Sequence, residues 1–392
     1  IAPSRPSAEP PAVRAEPHTV LVVHRGGDQV RGSEEALLTL LKSLDRDELR
    51  PVVVCSHSVL RAALAARGIE CVVAELPEVM LSRGDVRLPA AGYLRAIWRL
   101  AAIARGHRAE LLLCSGGGPC QLGVPVAAWL GKPVMCLLHH PAPANYHAFW
   151  LTRFVRAMVC TSEFTAAHTR ARIGGTTEVA HIGIDVERFA PRAPDAHMRR
   201  SFGMGPEDVV FAQVGALVPS KGHRLLLKAF ERVAAALPNA RLLVIGGGPE
   251  SASLQEQVRE RGLSDRVQLT GYVADARSFF RHVIDVNVLA SEEEGLGLVN
   301  LEASACELPA IGTDATGIRE TIVHGRTGYL FPPGDEEALA TCMIRLGRDA
   351  ELRYTLGRQG RQFVVSEFSV ASYGERVQQV MRQCMRRSPG RA

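Results

Sequence analysis

The chain has 392 residues, 46% hydrophobic and 22% charged, with a formal net charge of +5. That length predicts two domains rather than one core, no apolar run reaches the ~18 residues of a membrane span, and the mild basic charge permits an anionic ligand or surface without calling for nucleic acid. Nine scattered cysteines without a C-x-x-C pair predict reduced thiols, a cytoplasmic protein and no metal site.

Residues 1–17, rich in Pro, Ala and Ser, read as a disordered arm. A first α/β domain is expected over 18–190, with strand-like runs at 18–24, 51–56, 70–74, 110–115, 132–139 and 157–162 separated by helical patterns. The loop after the first run, "HRGGDQVRGSEEAL", carries Arg25, Gly27, Arg31 and Gly32 and opens a helix at Ser33. A plain surface loop with a serine cap explains it too. Residues 88–110 form an arginine-bearing helix with Tyr93 and Trp98. Arg95 and Arg99 align while Arg105 and Arg108 point elsewhere, so a packing helix with a solvated side is preferred over one lying on anionic lipid. The run "KPVMCLLHH" ends on His139 and His140, two imidazoles at a strand's carboxyl end.

The boundary falls in the aperiodic stretch 184–208, and a second α/β domain is expected over 191–370, followed by a helix at 371–392 that packs back on the first domain. Strand-like runs recur at 208–215, 240–248, 266–271, 283–291 and 308–313. Continuous apolar runs mean strands buried on both faces, hence two doubly wound parallel sheets whose ligand lies beyond the strands' carboxyl ends. Lys221 starts a helix after the first of these runs, where an ammonium and a helix dipole suit a diphosphate. Gly248 and Gly271 each lie just after a strand, where tight turns are as good an explanation as ligand approach. In "SEEEGLGLVNLEASAC" three carboxylates precede a Gly-Leu-Gly turn, and Glu302 follows Glu294 by eight positions. Helix N–H groups beside carboxylates suit a polyol, whose hydroxyls donate and accept. Helix-entry charge accounts for Glu292 and Glu293 but not for Glu302 inside the helix.

Residues 291–335, from "SEEEGLGLVNLEASACELP" to "GRTGYLFPPGD", resemble the signature region of retaining, nucleotide-sugar-dependent glycosyltransferases of family 4, which have the GT-B fold. "VGALVPSKGH", "VIGGGPE" and "HIGIDVERFAP" resemble further elements of that family, and the likeness covers about residues 18–385. It implies that Glu294 binds the donor sugar with backbone groups around Leu296, Gly297 and Leu298. Glu302 would hold the ribose, Lys221 the diphosphate, and the backbone of Gly271, Tyr272 and Val273 would meet the base, with Gly248 also lining the donor site. Gly32 is the better match to the family's loop glycine, with Gly27 the other candidate. His139 is the better match to its histidine, with His140 the fallback.

One departure stands out: Ala216 replaces an arginine common in the family, and Arg25 or Arg31 could substitute for its charge. The implied reaction is metal-independent sugar transfer, with retention, from a nucleotide-diphosphate sugar to a glycan or lipid-linked acceptor of bacterial polysaccharide or envelope synthesis. No other cofactor is expected. Peripheral contact with an anionic membrane at its inner face fits such an acceptor. The alternatives are a weak or inactive sugar-nucleotide-binding relative, made conceivable by Ala216, and an epimerase or phosphorylase sharing the cleft. A nicotinamide oxidoreductase would want G-x-G-x-x-G after the first strand, and "HRGGDQVRG" does not supply it.

Overall fold

Strands without a polar face must be covered on both sides. The computed structural model describes residues 16–27, 32–82, 85–87, 89–141, 147–173 and 177–386 and shows how this is done twice. The first half contains strands β1 (His18–His24), β2 (Leu49–Cys55), β3 (Glu70–Val73), β4 (Met80–Ser82), β5 (Asp85–Arg87), β6 (Leu111–Ser115), β7 (Val134–Leu138), β8 (Ala157–Cys160) and β9 (Thr177–Val179). Its helices are α1 (Gly32–Ser43), α2 (Val59–Ala65), α3 (Ala90–Gly106), α4 (Gly117–Leu130) and α5 (Glu163–Ile173). Seven strands form one parallel sheet in the order β3-β2-β1-β6-β7-β8-β9, and β4 and β5 pair separately as an antiparallel ribbon.

The second half contains β10 (Val209–Val214), β11 (Ala240–Ile245), β12 (Val267–Gly271), β13 (Val286–Leu289), β14 (Ala310–Thr313) and β15 (Gly328–Phe331). These six form a second parallel sheet in the order β12-β11-β10-β13-β14-β15. Around it lie α6 (Ala196–Ser201), α7 (His223–Ala236), α8 (Ser251–Glu260), α9 (Arg277–His282), α10 (Leu298–Ala305), α11 (Glu336–Arg348) and α12 (Ala350–Glu367). The last helix, α13 (Val370–Arg386), belongs spatially to the first half. Its Gln378 and Arg382 side chains bond Glu48 at 2.7 and 2.6 Å, and Gly374 lies against Ser43 of α1. The order reverses at β1/β6 and at β10/β13, so each sheet has a crevice beyond its strands' carboxyl ends.

The ribbon and the short strands β9 and β15 were not expected from the sequence. Runs of three or four residues at a sheet's edge are too short to show a period. Asp285, just before β13, is structural: its carboxylate accepts from buried Arg199 and from the N–H of Val210 at 2.8 Å.

Two strands of chain link the halves, and they touch. The N–H of Ile184 bonds the carbonyl of Phe368 at 2.8 Å. A β-carbon on Gly183 would lie 2.5 Å from Val370 Cα and 2.6 Å from the Ser369 carbonyl oxygen. The link is also held to α1 by Lys42–Asp185 at 2.6 Å and Arg188–Glu35 at 3.2 Å. Gly183→Ala must push one backbone off the other. It is expected to cost about 1–3 kcal/mol of stability, measured by denaturant unfolding; an unchanged midpoint would contradict the crossing.

Candidate functional site

Lys221, Gly248, Gly271 and the acidic loop lie at or just after the carboxyl ends of β10, β11, β12 and β13. Lys221 closes a short 3-10 turn after β10, and a buried polar network fixes that turn. Gln213 Nε2 donates to the Lys221 carbonyl at 2.6 Å and lies 3.1 Å from His223 Nδ1, while Gln213 Oε1 accepts from the N–H of Ala290 at 3.1 Å. Because His223 Nδ1 accepts, its Nε2 carries the proton and donates to the Ala216 carbonyl at 3.2 Å. Burial lowers the pKa of His223, which keeps it in this neutral form. A glutamine in the buried strand "VVFAQV" was the visible signal, and sequence reasoning passed over it.

The acidic loop sorts its carboxylates by burial. Glu292 and Glu293 are exposed, and Glu294 is only 7% exposed. Glu294 Oε1 accepts from Lys221 Nζ and, at 3.0 Å, from Ser291 Oγ. Its N–H donates to Thr316 Oγ1 at 3.3 Å. Gly297, at φ 90°, starts α10 in the left-handed region with no side chain capping the helix. Leu296 is buried beside it, and Leu298 Cδ1 lies 3.8 Å from where a β-carbon on Gly32 would sit. The N-termini of α1 and α10 therefore face each other across the cleft.

Glu302 is partly buried on α10. Burial pushes its carboxyl up to about 8; Glu35 and Asp275 add to the rise, and Arg188 opposes it. Among the described residues no side chain bonds it, so it holds a proton near neutrality. Gly271 and Tyr272 are exposed after β12, Val273 is partly buried, and Gly248 packs against the Leu217 carbonyl. Arg25 is paired with Glu78 at 2.6 Å, so its charge is matched within its own domain. Arg31 lies outside the described residues.

The two histidines have different surroundings. The His139 carbonyl oxygen sits 1.8 Å from the position of a β-carbon on Gly295, so the domains meet backbone to backbone here. The His140 ring lies beside the same glycine, with Nδ1 3.2 Å from that position. His140 reaches solvent but is walled in by the cleft. This enclosure lowers its pKa, Glu294 raises it, and Lys221 lowers it. Two further contacts close the domains: the Glu320 carboxylate accepts from the N–H groups of Glu163 and Phe164, each at 2.9 Å, capping α5 from the other domain. It also bonds His181 at 2.8 Å.

The His139 ring ends a buried relay that the sequence did not reveal. Glu34 lies 3.4 Å from His24 Nε2, His24 Nδ1 lies 3.1 Å from Ser115 Oγ, and Ser115 Oγ lies 3.2 Å from His139 Nε2. Burial opposes ionisation of Glu34, but hydrogen bonds from His24, its own backbone and Ser33 outweigh it and bring the pKa to about 2. The tautomers of His24 and His139 set which group donates at each of these contacts. His139 Nδ1 is buried without a hydrogen-bond partner among the described residues, and the 3.4 Å contact of His24 Nε2 with Glu34 falls short of a good hydrogen bond. Burial drops the pKa of His139 to about 3, so the imidazole is neutral above that.

A carboxylate whose folded pKa is depressed contributes stability above its unfolded value, and that contribution disappears as pH falls through the folded one. Glu34→Gln is expected to destabilise the protein by roughly 2–3 kcal/mol at neutral pH. The gap to wild type should shrink between about pH 4.5 and 2. Unfolding curves across that range check it, and a gap independent of pH would rule out an ionised Glu34 as the anchor.

Residues 30–188 match the model described as Glycosyltransferase Family 4, and residues 195–363 match the model of glycosyl transferases group 1. The Bacillus subtilis protein EpsD, named as a glycosyltransferase, is 31% identical over 270 residues, covering 67% of this chain and 68% of EpsD. A GDP-mannose-dependent alpha-(1-6)-phosphatidylinositol monomannoside mannosyltransferase of Mycolicibacterium smegmatis is 30% identical over 56% of this chain and 61% of its own length. Anabaena HepE, solved with UDP and glucose, superposes with a TM-score of 0.80 at 19% identity, covering 93% of this chain and all of HepE. With its two parallel sheets arranged as in HepE and its similarity to EpsD along more than two thirds of that protein, this chain belongs to the family 4 glycosyltransferases and has the GT-B fold.

Proposed function

We propose that this chain moves a sugar, with retention of anomeric configuration and without a metal ion, from a nucleoside-diphosphate sugar to a glycan or lipid-linked acceptor of bacterial polysaccharide or envelope synthesis. The observation that carries this reading is the buried Glu294 bonded to Lys221 at the mouth of α10. A carboxylate that accepts hydrogen bonds stands beside a cation, which suits a ligand made of sugar hydroxyls and diphosphate. The names of the relatives support it: HepE is described with UDP and glucose, and the mycobacterial enzyme as GDP-mannose-dependent.

In this reading the donor's diphosphate competes with Glu294 for Lys221, and Glu294, once released, takes sugar hydroxyls. The Glu294 oxygen that faces Lys221 is also held by Ser291, so the carboxylate is placed as an acceptor rather than as a free nucleophile. Same-face attack then fits, with the leaving phosphate oxygen taking the acceptor's proton. Catalysis rests on positioning and on the Lys221 charge. Ala216 favours a second reading, a relative that binds donor but transfers slowly, because this position adds no cation beside Lys221.

Ribose hydroxyls donating to Glu302 stabilise its ionised form. Since its carboxyl stands at about 8 beforehand, nucleoside-diphosphate binding near neutral pH is expected to release protons. Calorimetry in two buffers of different ionisation enthalpy reads this. Equal proton release by wild type and Glu302→Gln would overturn the ribose role.

The transfer reading is tested with a labelled donor panel in excess chelator. Glu294→Gln should lose transfer by about 10- to 150-fold or more, the size of a charged hydrogen bond, without weakening nucleoside-diphosphate binding, because Lys221 is freed. Glu292→Gln and Glu293→Gln should act as wild type. Equal losses at all three positions would sink the assignment, and tight donor binding without transfer in the wild type would favour the second reading.

A further inference from the structure

The charge of this protein is unevenly spread. Between Asp85 and Glu163 the single acid is Glu110, against eight arginines and lysines, and all three tryptophans lie in the same stretch. The fold gathers part of that stretch onto one surface. Leu94, Trp98 and Arg105 of α3 share a face at spacings of four and seven. The Trp98 ring meets Trp129, at the end of α4, edge-on with centroids 4.9 Å apart. The Arg105 guanidinium lies 4.5 Å from the centre of the Trp129 ring. Yet Leu94 is 59% exposed, Trp98 65% and Trp129 44%. The sequence reading of α3 as an ordinary packing helix holds for its other face, where Ala96, Leu100, Ala101 and Ala104 are buried. It missed this one because Trp129 is distant in sequence.

Single exposed apolar residues are ordinary, but a joined leucine and two tryptophans ringed by cations are not. Arg105 lies on the ridge, Arg95 and Arg99 flank it on α3, and Arg108 and Lys132 follow the ends of α3 and α4; all five are exposed, and among the described residues none forms an ion pair. We propose that the α3–α4 face docks this protein on a bilayer bearing anionic lipid, with Leu94, Trp98 and Trp129 entering the headgroup layer and the five cations meeting lipid phosphates. Indoles with one apolar body and one N–H, beside long cationic side chains, suit that boundary. Charge complementarity selects the occupant. A second copy docking through the same patch would set five cations against five with no acid to match them. A purely electrostatic partner such as nucleic acid would leave the apolar ridge unused. Among the described residues no helix is long and apolar enough to cross a membrane, so the face would act as a peripheral contact.

The surface is independent of the donor site, and its test uses no donor. The full chain is sedimented with vesicles of phosphatidylcholine alone and of phosphatidylcholine with phosphatidylglycerol. The expected result is partition onto the second kind only, weakened by salt. Trp98→Ser with Trp129→Ser, and separately Arg95→Glu with Arg99→Glu, should each reduce partition by at least about tenfold. Melting temperature and nucleoside-diphosphate binding should be unchanged in both. No partition by the wild type, equal partition by the variants, or a wild-type dimer that the tryptophan variant dissolves would overturn the proposal. So would binding of a nucleic-acid oligomer that competes fully with the vesicles.

Discussion

The site depends on one contact that tolerates no side chain. The His139 carbonyl of the first domain occupies the space that a β-carbon on Gly295 of the second would need. Backbone against backbone brings the acidic loop directly under the end of β7, which sets Glu294 beside His140 and the relay histidine on the same side of the cleft. Any residue other than glycine at 295 would hold the loop away by more than an ångström. The cap of Glu320 on α5 and the Thr165 hydroxyl on the Gly295 carbonyl at 3.4 Å serve the same contact from its flank. All three are polar or backbone contacts with little apolar area, so they position the domains without binding them irreversibly.

The charges around that contact are balanced internally. Lys221 faces Glu294, Arg25 faces Glu78, and Arg188 faces Glu35. An anionic ligand therefore gains only the difference between its own attraction and that of the carboxylate it displaces. At the position where the family resemblance implied an arginine, Ala216 contributes only its carbonyl, which orients His223. The loop is kept in shape, and the missing element is charge. Glu302 contributes in the opposite sense: held near pKa 8, it adds no negative field to the phosphate side until a hydroxyl donor ionises it.

How much of this was legible in the sequence follows from separation along the chain. The long apolar strands, the Lys221 turn and the glutamate pair are local patterns, each contained in a dozen residues, and the structure has those strands where they were expected. Glu292 and Glu293 separate from Glu294 as exposed from buried, but they are not helix-entry charge: α10 is capped by Gly297 and has no acid in its first turn. What could not be read were the pairings. Glu34 meets His24 from across a loop, Ser115 is 91 residues from His24, and Glu320 is 157 residues from the helix it caps. Serine and glutamate at such positions look like any polar residue near a strand end, because nothing local marks a buried partner. The Trp98–Trp129 ridge escaped for the same reason, since helical periodicity was applied to α3 alone.

The placement of partners also divides the chemistry between the domains. Lys221, Ser291, Glu294 and Thr316 all belong to the second domain, so the ion pair exists whether the cleft is open or closed. His139, His140 and the Glu34 relay belong to the first and reach the pair only through Gly295. The two linking segments cross at Gly183 and Val370, and α13 stays packed on α1, so a rotation about that crossing would separate Gly295 from His139 and Glu320 from α5. What closure adds is the first domain's His139 carbonyl and His140 ring against Gly295. If the α3–α4 face rests on a bilayer, the first domain is the anchored one, and the domain carrying the donor would be the one that moves.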